Sequence, residues 1–245
     1  MSVVGLGQCS LDYIASVEEF PSEDTKLEIV DWTPEGGGPV ATALVALSRL
    51  GVKTTFIGRV SDDTVGGEIK KGLKAEGVDT RGLLPKKGGR SQTAFIVVNR
   101  RTGSRTILWQ RPTVEELRAE DVKLSWIKGK KFLLLDGLMH EASIRAAEIA
   151  RDLGVPVMFD AGRVREDTLE LAALSDYIVG SEEFATGLSG SPGRAIMKLT
   201  RLAPRAVTIT LGRRGSITWS GGGRETFRTT APGVRAVDTT GAGDV

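Results

Sequence analysis

The chemistry of this sequence concentrates in one segment, Asp238-Thr239-Thr240-Gly241-Ala242-Gly243-Asp244. Two glycines spaced by a small residue let successive backbone N–H groups turn toward one point. Such a nest, leading into a helix N-terminus, would stabilise a transferring phosphoryl group. An Asp directly beside it can take the proton of an attacking alcohol, and a base next to an anion hole is what phosphoryl transfer to a hydroxyl requires. The same spacing also suits a Gly-rich loop with Asp as an N-cap, and spacing alone does not choose between the two.

Other segments could position a ligand. Gly36-Gly37-Gly38 precedes a helix opened by Pro39. It reads either as a close approach to a substrate or as a plain loop-to-helix turn, and it is no Walker A loop because no Gly-Lys-Ser/Thr follows. Leu211-Gly212-Arg213-Arg214-Gly215 follows an apolar run. It reads as a tight turn between antiparallel strands or as a loop that shapes an adenosine pocket. Asp12 sits near the end of the first strand region, where a carboxylate could grip two sugar hydroxyls. Asp62-Asp63 suits a cap on a helix starting near Thr64, and His140 suits a packed or surface position.

These residues need a scaffold. Val3 to Leu6 reads as a buried first strand. Leu11 to Val17 and Lys26 to Trp32 suggest a hairpin-like excursion, and Thr93 to Val98 with Arg105 to Trp109 suggest a second. Val40, Leu44 and Leu47 form the apolar stripe of a helix ended by Gly51. Thr54 to Ile57 reads as a strand, and Thr64 to Glu76 as a helix closed by Gly77. Lys131 to Leu135 has the continuous apolar character of a parallel strand buried on both faces. Helices over 142–153, 167–174, 182–188 and 192–202 alternate with strands over 155–160, 177–179 and 206–211. Residues 216–220 and 225–230 look antiparallel. The alternation predicts an α/β domain with a mostly parallel sheet, in which ligands lie beyond the carboxyl ends of the strands.

Composition removes several alternatives. The 245 residues carry one Cys (Cys9) and one His, too few for an internal disulfide or a zinc site of the usual N/S type. A formal charge of +2 is no footprint for nucleic acid. No run approaches the ~18 apolar residues of a membrane span, and the N-terminus shows no signal peptide. Glycine at 31 of 245, without a G-X-Y period, fits turns and close backbone approaches.

Taken in order, these segments resemble the ribokinase / phosphofructokinase-B family of carbohydrate and nucleoside kinases, from Gly5 to Val245. Asp238 to Asp244 looks like the family's C-terminal signature. Gly37-Gly38 through Ala41-Thr42 to Leu50-Gly51, Gly58 to Gly66, and Thr210 to Gly215 support it. The resemblance implies a three-layer α/β sandwich with a mostly parallel central sheet and a small β-sheet lid. The core would take residues 1–10, 34–91 and 111–245, and the lid 11–33 and 92–110. It implies ATP-dependent phosphorylation of a primary hydroxyl of a sugar in the cytoplasm, by a homodimer formed through the lid, with no nucleic acid or membrane partner. A nucleoside kinase and a non-catalytic sugar- or nucleotide-binding protein on the same fold are the alternatives.

Carried over residue by residue, Asp244 is the general base, and the N–H groups of Gly241, Ala242 and Gly243 form the anion hole. Asp12, Gly37, Gly38 and Thr42 hold the sugar. Thr210, Gly212, Gly215 and Ser181 border the nucleotide. Mg²⁺ bridges the ATP phosphates mostly through water, and a monovalent cation has a place in such a site. The sequence departs from the family at Thr42, where Asn is frequent, and at Ser181 and Phe184, where the family's Asn-x-x-Glu would fall. Metal support then shifts to Glu182 or Glu183. The resemblance also leads us to expect a helix beyond Val245.

Overall fold

The apolar runs assemble into two sheets, which a computed structural model describes for residues 2–223, 225–234 and 239–245. Asp238, at the head of the glycine segment, lies outside the described residues. In chain order the first elements are β1 (Ser2–Leu6), β2 (Ser10–Val17), β3 (Asp31–Gly37), α1 (Pro39–Arg49), β4 (Lys53–Ser61), α2 (Thr64–Ala75), β5 (Asp79–Lys86), β6 (Gln92–Asn99) and β7 (Arg105–Gln110). The chain continues through α3 (Leu124–Ile127), β8 (Phe132–Leu135), α4 (His140–Asp152), β9 (Val157–Ala161), α5 (Thr168–Ala173), β10 (Tyr177–Ser181), α6 (Glu182–Ser189), α7 (Pro192–Leu199), β11 (Ala206–Thr210), β12 (Ser216–Ser220) and β13 (Glu225–Thr229).

The large sheet has the order β13-β12-β11-β10-β9-β8-β1-β4-β5 and is parallel except at β12 and β13. Alternate side chains of its strands feed separate cores, as the pleat requires. Val4, Leu6, Leu133 and Leu135 pack with Ala142 and Ala146 of α4, Leu171 of α5, Phe184 of α6 and Leu199 of α7. Val3, Phe56 and Leu134 face the other way, onto Val40 and Leu44 of α1 and Ile69 and Leu73 of α2. Helices on both faces of one sheet make the expected three-layer sandwich.

Local chemistry starts the helices where the sequence predicts. Gly38, the N-cap of α1, has φ +105°, and a Cβ there would lie 2.2 Å from the Gln8 carbonyl oxygen. Pro39 then enters a first turn that needs no N–H donor. Asp63 caps α2 by accepting from the Gly66 N–H at 2.8 Å.

The four strands left over form the small sheet, in the order β3-β2-β6-β7. Here the expected boundary shifts. The partner of β2 is residues 31–37 rather than 26–32, paired from Ser10↔Gly37 to Ser16↔Asp31. The glycine segment therefore ends a strand before it caps a helix. Strand β5 carries no alternation and contains Gly82 and Pro85, and it escapes a sequence reading. It lies at the sheet edge, where Pro is tolerated.

Candidate active site

The large sheet reverses its winding between β1 and β8: β1, β4 and β5 proceed one way, and β8 to β11 the other. Ligands of open α/β sheets lie at such a switch point, outside the carboxyl ends of the strands. Asp136 follows β8 there. Its carboxylate accepts from the Gln8 N–H beyond β1 at 2.9 Å and from the Leu138 N–H at 3.0 Å. Burial pushes it up to about 6, against the lowering pull of these N–H groups and Arg165.

A cleft of about 260 Å³ opens above, lined among others by Asp136, His140, Asp160, Arg165, Ser181, Thr210, Gly243 and Asp244. Asp160, on β9, is pushed up to about 7, first by burial and then by the charges of Asp244 and Asp136. Asp244 is also raised, by burial and by Asp12, while Arg105 pulls it down. A carboxylate raised from its ordinary range is, in its ionised form, a stronger proton acceptor. Asp12 is raised by burial and lowered by the Ser10 hydroxyl, which donates to it at 2.7 Å.

The structure brings most of the predicted residues together. Gly37 lies against Asp12, and a Cβ there would sit 2.1 Å from its Oδ2. A Cβ on Gly241 would meet the Thr42 methyl at 3.1 Å, so the glycine loop rests on α1. Within that loop the Ala242 N–H donates to the Thr239 carbonyl at 3.2 Å, and the Asp244 N–H to the Gly241 carbonyl at 2.9 Å. The Gly241 and Gly243 N–H groups have no acceptor among the described residues.

Gly212, Gly215, Glu182 and Glu183 do not line this cleft. Gly212 and Gly215 bracket the tight turn between β11 and β12, where the backbone of Gly215 packs on Thr229. Glu182 pairs with Arg214, and Glu183 with Arg163 at 3.0 Å. Ser181 lines the cleft and caps α6, accepting from the Phe184 N–H at 2.9 Å. Phe184 is wholly buried, which accounts for an apolar residue there. His140, on the cleft wall, meets Glu170 at 3.3 Å.

A sequence model described as the pfkB family carbohydrate kinase matches residues 1–245. The chain belongs to this family. As a pfkB-family carbohydrate kinase it is a phosphotransferase acting on a sugar or nucleoside hydroxyl. It is 33% identical over 270 residues to a 5-dehydro-2-deoxygluconokinase of Geobacillus thermodenitrificans (strain NG80-2), covering 100% of this chain and 78% of that one. It superposes on a candidate ribokinase from Agrobacterium tumefaciens with a TM-score of 0.88 at 27% identity, covering 99% of this chain and 80% of that one. A candidate ribokinase II from E. coli, solved with ATP and Mg²⁺, gives 0.81 at 25%, covering 99% and 82%.

Sequence reasoning passed over Asp136 and Asp160 in this kinase. The signal was available: each stands where a continuous apolar run gives way to a carboxylate and a nearby glycine, as in Leu135-Asp136-Gly137 and Phe159-Asp160-Ala161-Gly162. Their raised values carry a stability consequence. The folded state binds more protons than the unfolded chain from about pH 4 to about pH 7, so these groups cost stability as pH rises through that window. Asp160→Asn is therefore expected to raise Tm by about 2–4 °C or more at about pH 8. The gain should shrink toward zero near pH 4, and thermal melts of both proteins across that range check it.

Proposed function

We propose that this kinase transfers the γ-phosphoryl group of ATP to a primary hydroxyl of a carbohydrate, with Asp244 as the general base. One observation carries the reading: a half-buried carboxylate stands at the end of a glycine loop and within electrostatic reach of Asp12. A hydroxyl held by Asp12 would give its proton to Asp244 as its oxygen attacks phosphorus, and the leaving ADP oxygen would depart on the opposite side.

The supporting groups fit these roles. The Gly241 and Gly243 N–H groups are available to phosphate oxygens, and Ala242 joins them if its bond to Thr239 opens. Gly37 and Gly38 let the acceptor approach the backbone, and Thr42 lies between acceptor and phosphate loop. Thr210 and Ser181 border the phosphates, and Gly212 and Gly215 shape the nucleotide side from their turn. Mg²⁺, when bound, neutralises phosphate charge. ATP would carry most of its ligands, Glu182 or Glu183 would hold it through water once released from its arginine, and a monovalent cation would have a place beside it.

The small sheet, taken as residues 11–33 and 92–110 with β3 running on to Gly37, acts as the lid that excludes water from the reaction. Its outer face stacks Tyr13 against Trp32 at 5.5 Å and Phe95 at 5.3 Å. Trp32, Phe95 and Leu108 are about half exposed, an apolar patch suited to a second copy of the lid. The reading places the enzyme in the cytoplasm; no helix among the described residues is long and apolar enough to cross a membrane.

A plain sugar is favoured over a nucleoside because Asp12, Ser10, Gly37 and Thr42 offer no ring to clamp a base. A coupled ADP-release screen over pentoses, hexoses, keto-sugar acids and nucleosides tests this. Turnover is expected with a sugar or sugar acid. Turnover with nucleosides alone would replace the carbohydrate reading, and ligand binding without any turnover would favour the non-catalytic alternative.

A further inference from the structure

A single arginine of the small sheet reaches the glycine loop. Arg105 opens β7, directly opposite Val98 of β6. Its Nη1 donates to the Thr239 carbonyl oxygen at 3.0 Å and to the Thr239 hydroxyl at 2.5 Å. The two residues lie 134 positions apart, so the contact joins the small sheet to a loop far along the chain. The Thr239 carbonyl is also the acceptor that closes the turn from Ala242. One oxygen therefore receives both the bond that shapes the loop and the bond that ties it to the small sheet.

We propose that Arg105 is a positioning residue that clamps the lid onto the glycine loop through Thr239 and so couples lid closure to the placement of Asp244. The reading rests on Asp244 being the base.

The physical argument has two parts. A guanidinium carries five donors in a planar fork, so bonds to Thr239 leave others free while the lid is held down. Those bonds are charge-assisted, which strengthens them over neutral ones. The loop they grip is five residues of turn, Thr240 to Asp244, resting on the Thr42 methyl. Holding one end fixes where the Asp244 carboxylate stands relative to the acceptor, and an error of an ångström there is worth about 10²-fold in rate.

The second part is electrostatic. The charged groups that shift Asp244 come from two elements, Arg105 of β7 and Asp12 of β2, while Asp160 of β9 is itself raised by Asp244. Arg105 is the one cation among them. It favours the ionised, proton-accepting form of Asp244 against burial and the Asp12 carboxylate. When the lid opens, that charge leaves with it. An open enzyme then holds its base closer to the neutral form, which suppresses chemistry until the acceptor is covered.

Three variants of the full-length enzyme test this: Arg105→Ala, Arg105→Lys and Asp244→Asn, followed by pH–rate profiles and amide hydrogen exchange across Arg105–Gln110. Arg105→Ala is expected to lower kcat about tenfold or more, to move the acidic limb of kcat, which reports the closed complex, to higher pH, and to speed exchange in β7. Arg105→Lys keeps the charge but loses the fork, so the limb should stay and kcat should recover only in part. If Arg105→Ala keeps kcat within about twofold with an unmoved limb, the clamp is overturned. It is equally overturned if only KM for the acceptor rises and β7 exchange is unchanged, since Arg105 would then be a substrate contact. Retained turnover in Asp244→Asn would instead sink the base assignment, and the exchange data would still decide whether Arg105 holds the lid.

Discussion

Asp244→Asn is expected to lower kcat by about 10²–10⁴, the range for removing a general base, while KM for ATP stays within a few-fold. The amide keeps the size of the carboxylate and can still accept a hydrogen bond, but it cannot take a proton. A loss through unfolding predicts a different pattern. Asp244 raises Asp160 by like-charge repulsion, and both are raised by burial. Removing one charge relieves the other, so the variant should melt no lower than the parent at about pH 8. Circular dichroism melts beside single-turnover rates separate these outcomes. A dead enzyme with an unchanged or raised Tm supports the base, and a Tm lowered in step with activity would remove that support.

Asp12→Ala is the second large effect. Each hydrogen bond from an acceptor hydroxyl to this carboxylate contributes about 1.5–3 kcal/mol. Two of them are therefore worth about 10²-fold or more in kcat/KM for the sugar. KM for ATP should hardly move, because Asp12 lies on the small sheet and not on the nucleotide side. Asp12→Asn should recover part of the loss, since its amide can still pair with one hydroxyl. The pH profile adds a check of opposite sign to the arginine variant. Asp12 raises Asp244 and Arg105 lowers it, so Asp12→Ala should move the acidic limb of kcat downward where Arg105→Ala moves it upward. A limb that moves upward in Asp12→Ala as well would show that Asp12 does not act on Asp244 through its charge.

The departures from the family's usual residues acquire physical reasons in the structure. Ser181 keeps a short side chain that caps α6 while still lining the cleft. Phe184 fills the core between α6 and the sheet, where a carboxylate would be buried without a partner. Glu182 and Glu183 remain in the first turn of α6, each held by an arginine.

Much of the scaffold was legible residue by residue because its causes are local. Asp63 caps α2 through an N–H three positions away, Gly38 takes a backbone angle that a side chain resists, and Val40 and Leu44 share a helix face by spacing alone. The glycine loop and Asp244 were legible for the same reason, since a nest and its neighbouring carboxylate are a matter of adjacent residues. Strand β5 was not, because an edge strand with Gly82 and Pro85 carries little pattern of its own and is held by its pairing with β4.

The sequence by itself thus determined the alternation of strands and helices and the turn chemistry, and its family resemblance singled out Asp244 as the carboxylate to test as base. Only the tertiary structure decided that β1 and β8 lie side by side at the reversal of winding, which brings Asp136 against Gln8. It also decided that Asp160 shares the cleft with Asp244 and that Arg105 reaches Thr239. Those facts depend on strand order and on distances through a partly buried space. Charge interactions follow separation and desolvation rather than position along the chain, so no local spacing encodes them.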